Sequence, residues 1–338
     1  MLFVFVNAVG VALQLEQMFI MIEVNKRRVM VPIKTYRYEA LCLSSAMLWG
    51  LAFPVMKFVG GGIDTVSFLA LRFLIATVVL AIACGKKLKG ITSNMILPCV
   101  AVGILFALHN YLQVEGLRYT SAANGGFITS TNVVFVPAFA YLILKKRPTV
   151  NMIVGLAAAT AGFLLISGIV TVAPFGFHLT SLNVGDLLVL LCAVFTALYF
   201  VVFNMITQKY DESIANLLHM AGAAVGMWLV WMFYPQKSMD LSSPITVGGL
   251  LYCAVFASAI GFLLMAKASA KLEPSKVAII CALECVFAAA FAALVTWGVP
   301  YPDGSRETIT LTTVLGGALV FYGVIKASIE TRGETKCS

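Results

Sequence analysis

The residue with the clearest chemical potential is a glutamate inside an apolar run. Glu284 lies eight residues into a stretch that begins at Lys276, and it shares a helical face with Ile280 and Lys276. At the centre of a bilayer, even lenient insertion scales give a cost of about 2.5 to 3.5 kcal/mol for Arg, Lys or Asp. A carboxylate in such a place could take up and release a proton. The alternative is a structural acid that a neighbouring helix satisfies.

A second ionisable side chain, Arg72, lies six residues into another apolar run. It could bind substrate directly, but a structural role is favoured, either snorkelling to the nearby interface or holding helices together by hydrogen bonds. Lys57 and Lys267 lie near the ends of their runs and are interpreted as interfacial anchors. His219 could relay protons, although a lone histidine more often packs in the interior.

Polar residues form one stripe in a third run. His109 and Gln113 are four residues apart and Asn110 is three residues from Gln113, so the three share one side of a helix. In lipid such groups must face protein or a water-filled cavity. Site lining and hydrogen bonding between helices explain the stripe equally well. The next run continues the polar pattern with Asn124, Thr129, Thr131 and Asn132, and all of these except Thr131 are candidate site residues.

Aromatic side chains recur at matched spacing. Trp49 and Phe53 are about one helical turn apart, and so are Phe195 and Tyr199. Such pairs could line a cavity and receive an apolar or cationic part of a ligand. Alternatively, they pack against lipid or protein.

No other kind of chemical site is indicated. The sequence lacks a phosphate-binding glycine loop, an HExxH motif and a credible Ser-His-Asp set. Its eight cysteines form no CxxC motif or Cys/His cluster and are interpreted as small buried hydrophobic residues. We therefore expect no cofactor and no metal.

The composition is that of a membrane protein. Of 338 residues, 61% are apolar and 11% are charged, with a mean hydropathy of +0.97, whereas soluble domains carry about 25% charged residues. A soluble enzyme is excluded. Nucleic-acid binding is also excluded, because the net charge of +8 is not gathered on a polar domain.

Ten apolar stretches are long enough to cross a hydrocarbon layer of about 30 Å. The sequence thus predicts an all-α integral membrane protein with ten transmembrane helices, in which Pro54 and Pro137 are candidate kinks. The predicted spans run from Glu39 to Val59, Val66 to Cys84, Met95 to Leu117, Ala122 to Leu144, Val150 to Ile169, Asp186 to Ile206, Ile214 to Tyr234, Ile245 to Ala268, Lys276 to Trp297 and Leu311 to Ile329.

The distribution of Lys and Arg predicts the orientation, because short cytoplasmic loops retain positive charge. With the start of the first span inside, 18 of the 23 basic residues are cytoplasmic, four are outside and Arg72 lies within a span. We therefore predict a multi-pass protein of the cell membrane with both termini in the cytoplasm. The basic residues then need no anionic partner to explain them.

The segments outside the spans are harder to interpret. Residues 1–37 are apolar but are interrupted by Gln14 and Glu16, and no basic region precedes them as in a signal peptide. We interpret them as an over-extended start, with Met30 as the alternative first residue; an interfacial helix or an eleventh span remains open. Residues 171–185 are predicted to be an outer linker and 331–338 a cytoplasmic tail.

The two halves of the chain, 38–170 and 186–330, resemble each other. Each half holds five spans, and because five is odd the second half must be inverted in the membrane. Two such halves can exchange conformations around a midplane site, which is alternating access. The matched residues are Trp49 with Phe195, Phe53 with Tyr199, Asn132 with Glu284, Gly155 with Gly316, and Gly162 with Gly323.

Short motifs extend along most of the chain. They are Leu48-Trp49-Gly50, Leu71-Arg72-Phe73, Gln113-x2-Gly116-Leu117-x-Tyr119-Thr120-Ser121-Ala122, Gly126-Phe127-Ile128-Thr129, Asn132-Val133-Val134-Phe135-Val136-Pro137, Gly185-Asp186 and Leu283-Glu284. Together they resemble the EamA-type transporters of the drug/metabolite transporter superfamily, from roughly Glu39 to Ile329. Two departures stand out. Cys285 replaces the usual proline, which leaves the local shape of the ninth span open, and the Pro300 to Thr310 loop is longer than usual, which should affect only the outer surface.

The resemblance implies a secondary carrier that moves small metabolites, commonly amino acids and their relatives, outward. It also implies a central cavity lined mainly by the first, third, fourth, sixth, eighth and ninth helices. We predict export driven by an ion gradient, most simply protons, with Glu284 as the coupling residue. Uptake or translocation of lipid- or nucleotide-linked substrates by the same fold stays open, as does the oligomeric state. An intramembrane enzyme or a scaffold that does not transport is less favoured.

Overall fold

The computed structural model describes residues 36–166, 170–173, 176–179, 183–235 and 238–328. The expectations for the N-terminal segment 1–37, apart from its last two residues, and for the tail 331–338 lie outside the described residues. The helices are α1 (Arg37–Val59), α2 (Thr65–Cys84), α3 (Ser93–Leu117), α4 (Ala122–Leu144), α5 (Val150–Ile166), α6 (Val184–Lys209), α7 (Glu212–Phe233), α8 (Pro244–Ser269), α9 (Pro274–Gly298) and α10 (Leu311–Ser328).

Eight of these helices, all except α5 and α10, are long and apolar enough to cross a membrane. The apolar parts of the other two are shorter, Val150–Gly162 and Leu311–Lys326. The prediction of an all-α membrane protein is therefore confirmed. A small antiparallel hairpin of β1 (Val170–Ala173) and β2 (Gly176–Leu179) lies within the predicted outer linker.

Polar caps mark where several helices begin, because the first backbone N–H groups of a helix need acceptors. The Asp64 carboxylate accepts a hydrogen bond from Ser67 N (2.9 Å) at the start of α2. Asp211 caps α7 in the same way. At α6, Asn183 and Asp186 form a reciprocal capping box. Polar residues in the loops thus determine where these helices begin, which the apolar runs alone do not specify.

Two helices are interrupted at matching positions. The helix α4 breaks at Thr131, so its second part begins at Asn132. The helix α9 breaks just before its second part begins at Glu284. Tight bonds between residues three apart, as from Val134 N to Thr131 O (2.9 Å), replace the regular helical pattern there. The two residues that the internal repeat aligns therefore both begin a half-helix.

Proline does not mark these interruptions. The helix α1 is regular through Pro54, and α4 breaks six residues before Pro137. The predicted kink positions are therefore not where the helices break. In α9 the break forms although Cys285 replaces the usual proline, because Cys285 N donates to Ala282 O (3.3 Å) over a tight turn.

Contacts between loops divide the helix ends into two groups. At one end, Lys87 pairs with Asp211 (3.0 Å) and Lys146 pairs with Glu273 (2.7 Å); we call this the basic end. At the opposite end, Ile63 of the α1–α2 loop forms a β-bridge with Met239 of the α7–α8 loop. Helices that follow one another in the chain therefore run in opposite directions.

The loop that joins α9 to α10, called here the 300–310 loop, packs onto two other helices at the opposite end. The Tyr301 ring lies 4.8 Å from the Phe58 ring of α1, measured between centroids. The Glu307 carboxylate accepts a hydrogen bond from Ala122 N (2.9 Å) and so caps α4. The expectation that this loop affects only the outer surface is wrong, because its side chains hold the ends of α1 and α4.

Glycines allow α5 and α10 to pack in direct backbone contact. A Cβ atom added at Gly162 would lie 2.5 Å from the carbonyl oxygen of Gly316, and one added at Gly323 would lie 2.5 Å from that of Gly155. These are the glycines that the predicted internal repeat aligns. Small residues at a membrane helix interface permit this close approach, which substitutes for hydrophobic driving force in lipid.

We expect Gly162→Ala to destabilise the protein, because its methyl group would force α5 away from α10. The expected loss in unfolding free energy is about 1 to 3 kcal/mol, measured as a lower thermal midpoint in detergent. Gly248→Ala is the matched control, since no atom lies within 4 Å of a Cβ added there. Equal midpoints for the two variants would contradict the proposed contact.

Docking of the 300–310 loop should strengthen at low pH through Glu307. Burial raises the pKa of the Glu307 carboxyl, and hydrogen bonds from two backbone N–H groups and the nearby Lys57 offset the rise only in part, while Asp303 adds to it. An exposed Glu307 would keep its lower, ordinary pKa. Docking is therefore strongest below that ordinary value and weakens as pH rises through the raised pKa.

Hydrogen–deuterium exchange of residues 300–310, corrected for the intrinsic effect of pH, would measure this dependence. Glu307→Gln should remove the dependence because its side chain does not titrate. Glu273→Gln, at the basic end, should keep it. A pH dependence that survives in Glu307→Gln would show that another group is responsible.

Candidate functional site

A small cavity, the central cavity, lies where the interruptions of α4 and α9 face α1, α2, α3, α6 and α8. Its volume is about 50 Å³, enough for a few water molecules at about 10 to 15 Å³ each. Ten of the twelve candidate residues from the sequence line it. They are Trp49, Phe53, Arg72, His109, Asn110, Gln113, Thr129, Asn132, Tyr199 and Glu284.

Two candidates lie elsewhere. Asn124 is half-buried in the first turn of α4, where its backbone N–H donates to Ser121 Oγ (3.0 Å). Phe195 is half-buried and is not among the cavity residues, although the repeat pairs it with Trp49. The sequence missed five lining residues, of which Thr196 had a signal, a hydroxyl in an apolar run three residues before Tyr199. The five are Ala52, Met56, Thr196, Phe200 and Phe262.

Glu284 lies at the N-terminal end of the second part of α9 and is 7% exposed. Its side chain makes no hydrogen bond or ion pair within the described part of the chain. Lys276, predicted to share its helical face, instead pairs with Glu39 (2.8 Å) near the basic end. The partial positive charge of a helix N-terminus favours a carboxylate at this position. Glu284 is therefore open to a proton or to a ligand.

The helix α1 packs closely against the backbone of Glu284 at the wall of the central cavity. A Cβ atom added at Gly50 would lie 2.9 Å from the Glu284 carbonyl oxygen. From the other side, a Cβ atom added at Gly126 of α4 would lie 2.9 Å from Ala288 Cβ. These two glycines let α1 and α4 approach the interruption in α9 and leave little empty space around it.

Arg72 is 3% exposed, so its guanidinium lies inside the helix bundle. Its Nε donates to Ser258 Oγ of α8 (2.8 Å), which matches the alternative of a hydrogen bond between helices. Its Nη1 contacts Met56 Sδ (3.5 Å). No carboxylate lies within ion-pair distance among the described residues.

Polar groups of α3, α4 and α6 meet at the cavity wall. Gln113 Nε2 donates to Thr129 Oγ1 (3.3 Å), and Thr196 Oγ1 lies 3.3 Å from His109 Nδ1. The polar stripe of α3 thus lines the cavity and also forms hydrogen bonds to neighbouring helices, so both explanations given for the stripe apply. Two buried atoms of the cavity wall, Asn132 Oδ1 and His109 Nε2, have no hydrogen-bond partner within the described part of the chain and are available to a ligand.

Packed aromatic and histidine rings close the central cavity on the side of the basic end. The Phe106 ring lies 5.0 Å from each of the His109 and His219 rings in edge-on contact. The Tyr199 hydroxyl lies 3.4 Å from His219 Nε2. The Trp49 ring lies 4.6 Å from that of Phe262. Rings from α1, α3, α6, α7 and α8 therefore form a continuous layer.

Beyond this layer lies a larger cavity of about 640 Å³, called here the basic vestibule. Phe262 lines the central cavity and the next residue, Leu263, lines the vestibule. Between the two cavities, Ser45 Oγ of α1 donates to Gly261 O of α8 (2.9 Å). The charged residues of the vestibule wall are Arg37, Lys87, Glu212, Lys267 and Lys271.

A third cavity of about 300 Å³ lies at the opposite end and shares Met56 with the central cavity. There Lys57 Nζ donates to Thr120 O (2.8 Å) and lies 3.8 Å from the Asp303 carboxylate. Lys57 therefore joins α1 to two loops instead of acting only as an interfacial anchor. The three cavities form a series along the bundle, with the narrowest in the middle.

The central cavity offers one carboxyl group, one guanidinium group and several uncharged polar groups between aromatic walls. Such a surface can hold a small polar molecule by hydrogen bonds and charge pairs. Within the described ranges, no group of three or more His, Cys, Asp or Glu residues is placed to hold a metal ion.

Comparison with known proteins identifies similar transporters. An uncharacterized transporter of Archaeoglobus fulgidus is 27% identical over 292 residues, which cover 84% of this chain and 83% of that protein. The uncharacterized transporter YyaM of Bacillus subtilis is 28% identical over 298 residues, 85% of this chain and 92% of that protein. A solved protein structure with 15% identity has the same fold, with a TM-score of 0.67 over 86% of this chain.

The model of the EamA-like transporter family matches residues 37–168 and 183–329, most of the chain. The resemblance read from the motifs is thereby confirmed, and the protein is a membrane transporter and not an enzyme. The chain belongs to the EamA-like transporter family.

Proposed function

We propose that the chain is an alternating-access secondary transporter whose ten helices cross the membrane as two inverted repeats, 38–170 and 186–330. The family match falls into two stretches, one in each half. The interruptions in α4 and α9 precede the aligned residues Asn132 and Glu284. The aligned glycines of α5 and α10 contact each other reciprocally, as a pseudo-twofold axis in the membrane plane would require.

In this proposal the basic end faces the cytoplasm, because short cytoplasmic loops retain Lys and Arg. Both termini are then cytoplasmic, and the protein lies in the cell membrane. The helices α5 and α10, with 17 and 18 residues, reach the lower limit of about 17 residues for a span. Their shared glycine interface supports them as a pair that crosses together.

The series of three cavities supports a closed intermediate of the transport cycle. The ring layer separates the central cavity from the cytoplasmic vestibule, and the contacts of Lys57 close the opposite end. Loosening one closure while the other holds would open the central cavity to one side at a time. Alternating access needs this arrangement of two separate closures around one site.

The observation that carries the proposed coupling is the Glu284 carboxyl in the central cavity, which has no hydrogen-bond or ion-pair partner among the residues that the structure describes. When protonated it is neutral and suits a dry, closed cavity; when the cavity opens to water it can release the proton. A substrate and a proton that compete for Glu284 would move in opposite directions. We propose export of small metabolites, amino acids or related compounds, in exchange for protons.

Glu284→Gln should lose proton-driven transport while keeping exchange of substrate. The expected result in proteoliposomes loaded with labelled amino acids is that a pH gradient accelerates efflux more than tenfold for the parent and not at all for Glu284→Gln. Exchange of labelled for unlabelled amino acid without a gradient should remain, because it needs no proton release. A protonophore should abolish the gradient effect in the parent.

The matched control is Glu273→Gln, which removes an exposed carboxyl at the basic end and should transport like the parent. Efflux that resists both the protonophore and Glu284→Gln would keep the carrier but contradict Glu284 as the coupling residue. No efflux or exchange of any amino acid by folded protein would contradict the proposed substrate class. Direction is tested in cells that express the protein. Accumulation of labelled amino acid in these cells when a proton gradient is applied, instead of efflux from them, would reverse the proposed direction.

A further inference from the structure

We propose that Arg72 binds a carboxylate group of the substrate in the central cavity and thereby selects, among small metabolites, the solutes that carry a carboxylate. This inference rests on the proposed function and deepens it, because it assigns a residue to substrate selection.

Arg72 carries a buried positive charge that has no counterion among the described residues. Its guanidinium bonds to two uncharged groups, Ser258 Oγ and Met56 Sδ. The rings of Phe68 and Phe73, with centroids 5.9 and 5.8 Å from Arg72 Cζ, add weak cation–π attraction. These contacts leave N–H donors of the five-donor guanidinium unused among the described residues.

The chemistry of arginine makes this arrangement informative. Arginine stays protonated in proteins, so it cannot relieve its burial by losing a proton. A buried charge without a partner is strongly destabilising, and the planar guanidinium fork fits a carboxylate with two parallel hydrogen bonds. Because Arg72 faces the central cavity, a ligand in that cavity is in a position to supply the missing anion.

The position of Glu284 favours a ligand with a second, positive group. The Glu284 and Arg72 side chains both line the central cavity, and neither has an oppositely charged partner within ion-pair distance among the described residues. An α-amino acid carries an ammonium group, which Glu284 can accept, and a carboxylate, which the guanidinium fork of Arg72 can bind. A zwitterion would therefore satisfy both charges of the cavity.

The basic vestibule is consistent with the same class of ligand, although its cationic residues already follow from the orientation of the chain. It carries four cationic side chains and one carboxylate, Glu212. Lys87 pairs with Asp211, whereas Arg37, Lys267 and Lys271 have no carboxylate within ion-pair distance in the described part of the chain. Cavities lined by one sign of charge raise the local concentration of the opposite charge. The wide approach to the central cavity thus favours solutes that carry a negative group.

The test measures ligand binding by purified full-length protein, from the rise in thermal midpoint with ligand concentration. The probes are the twenty amino acids and their methyl esters, which keep the ammonium group and lose the carboxylate charge. We expect the parent protein to bind at least one amino acid about 10- to 100-fold more tightly than its ester, the range for a hydrogen bond to a charged group. Arg72→Met should reduce binding of the acid to the level of the ester and leave binding of the ester unchanged.

Ser258→Ala is the control for a structural role, because it removes the hydrogen bond between α2 and α8 and keeps the guanidinium. It should retain the preference for the acid. Equal weakening of acid and ester in Arg72→Met would make Arg72 a packing residue and overturn the inference. The comparison of acid with ester in the parent tests the inference even if Arg72→Met fails to fold.

Two further outcomes separate this inference from the proposed function. Proton-driven efflux of esters or amines at the same rate as amino acids would keep the transporter and overturn carboxylate binding by Arg72. Absence of both binding and efflux for every probe, with folded protein, would overturn the proposed substrate class and this inference together. N-acetylated amino acids that bind as well as free ones would keep Arg72 as the carboxylate site and remove Glu284 as the ammonium site.

Discussion

The absence of water in the hydrocarbon layer is the constraint on which the structure depends, because ionisable and backbone polar groups there must find partners within the protein. Arg72 and Glu284 are both more than nine-tenths buried and both face the central cavity. Large apolar side chains cover the outside, as with Ile82 and Leu97, each 77% exposed. The polar faces of the helices are therefore turned toward one another, and the central cavity is where they meet.

The same constraint explains why the interruptions in α4 and α9 lie in the interior. An interrupted helix leaves backbone groups without their regular partners, which lipid cannot satisfy but a packed, polar interior can. Ser130 Oγ of α4 donates to Ala282 O (3.3 Å), a carbonyl at the break in α9. Gly50 and Gly126 bring α1 and α4 close enough to shield the break. Interruption, small residues and cavity thus form one feature of the fold.

The two closures of the central cavity are built from different interactions. Toward the basic end the closure consists of aromatic and histidine rings with few hydrogen bonds between them. Toward the opposite end it consists of Lys57, loop backbone and the capping carboxylate of Glu307. In the proposed transport cycle, rotation of side chains would separate the rings, whereas the opposite closure would open only if loops moved. The two sides of the site would therefore differ in what must change before they open.

Much of this protein follows from its sequence alone. Apolar runs that are long enough to cross the hydrocarbon core of a bilayer predict the helices, because the length of a run and the spacing of its apolar residues can be read from the sequence. Polar residues four apart in α3 had to face the interior, and ten of twelve candidates do line one cavity. The failures came from residues whose neighbours lie far away in sequence. Phe195 has the spacing of a lining residue, but the rotation of α6 in the bundle places Thr196 and Tyr199 at the cavity instead.

Tertiary structure alone decided the features that depend on distant contacts. Arg72 could have reached an interface, and only its burial against α8 made it an uncompensated charge. The 300–310 loop gave no sign in the sequence that Glu307 would cap α4, because its acceptor role depends on a helix end more than 180 residues away. The sequence thus determined which side chains must avoid contact with lipid, since the free energy of transferring a side chain into the hydrocarbon layer depends on the type of residue. Structure decided which of them meet, since that depends on how the helices pack.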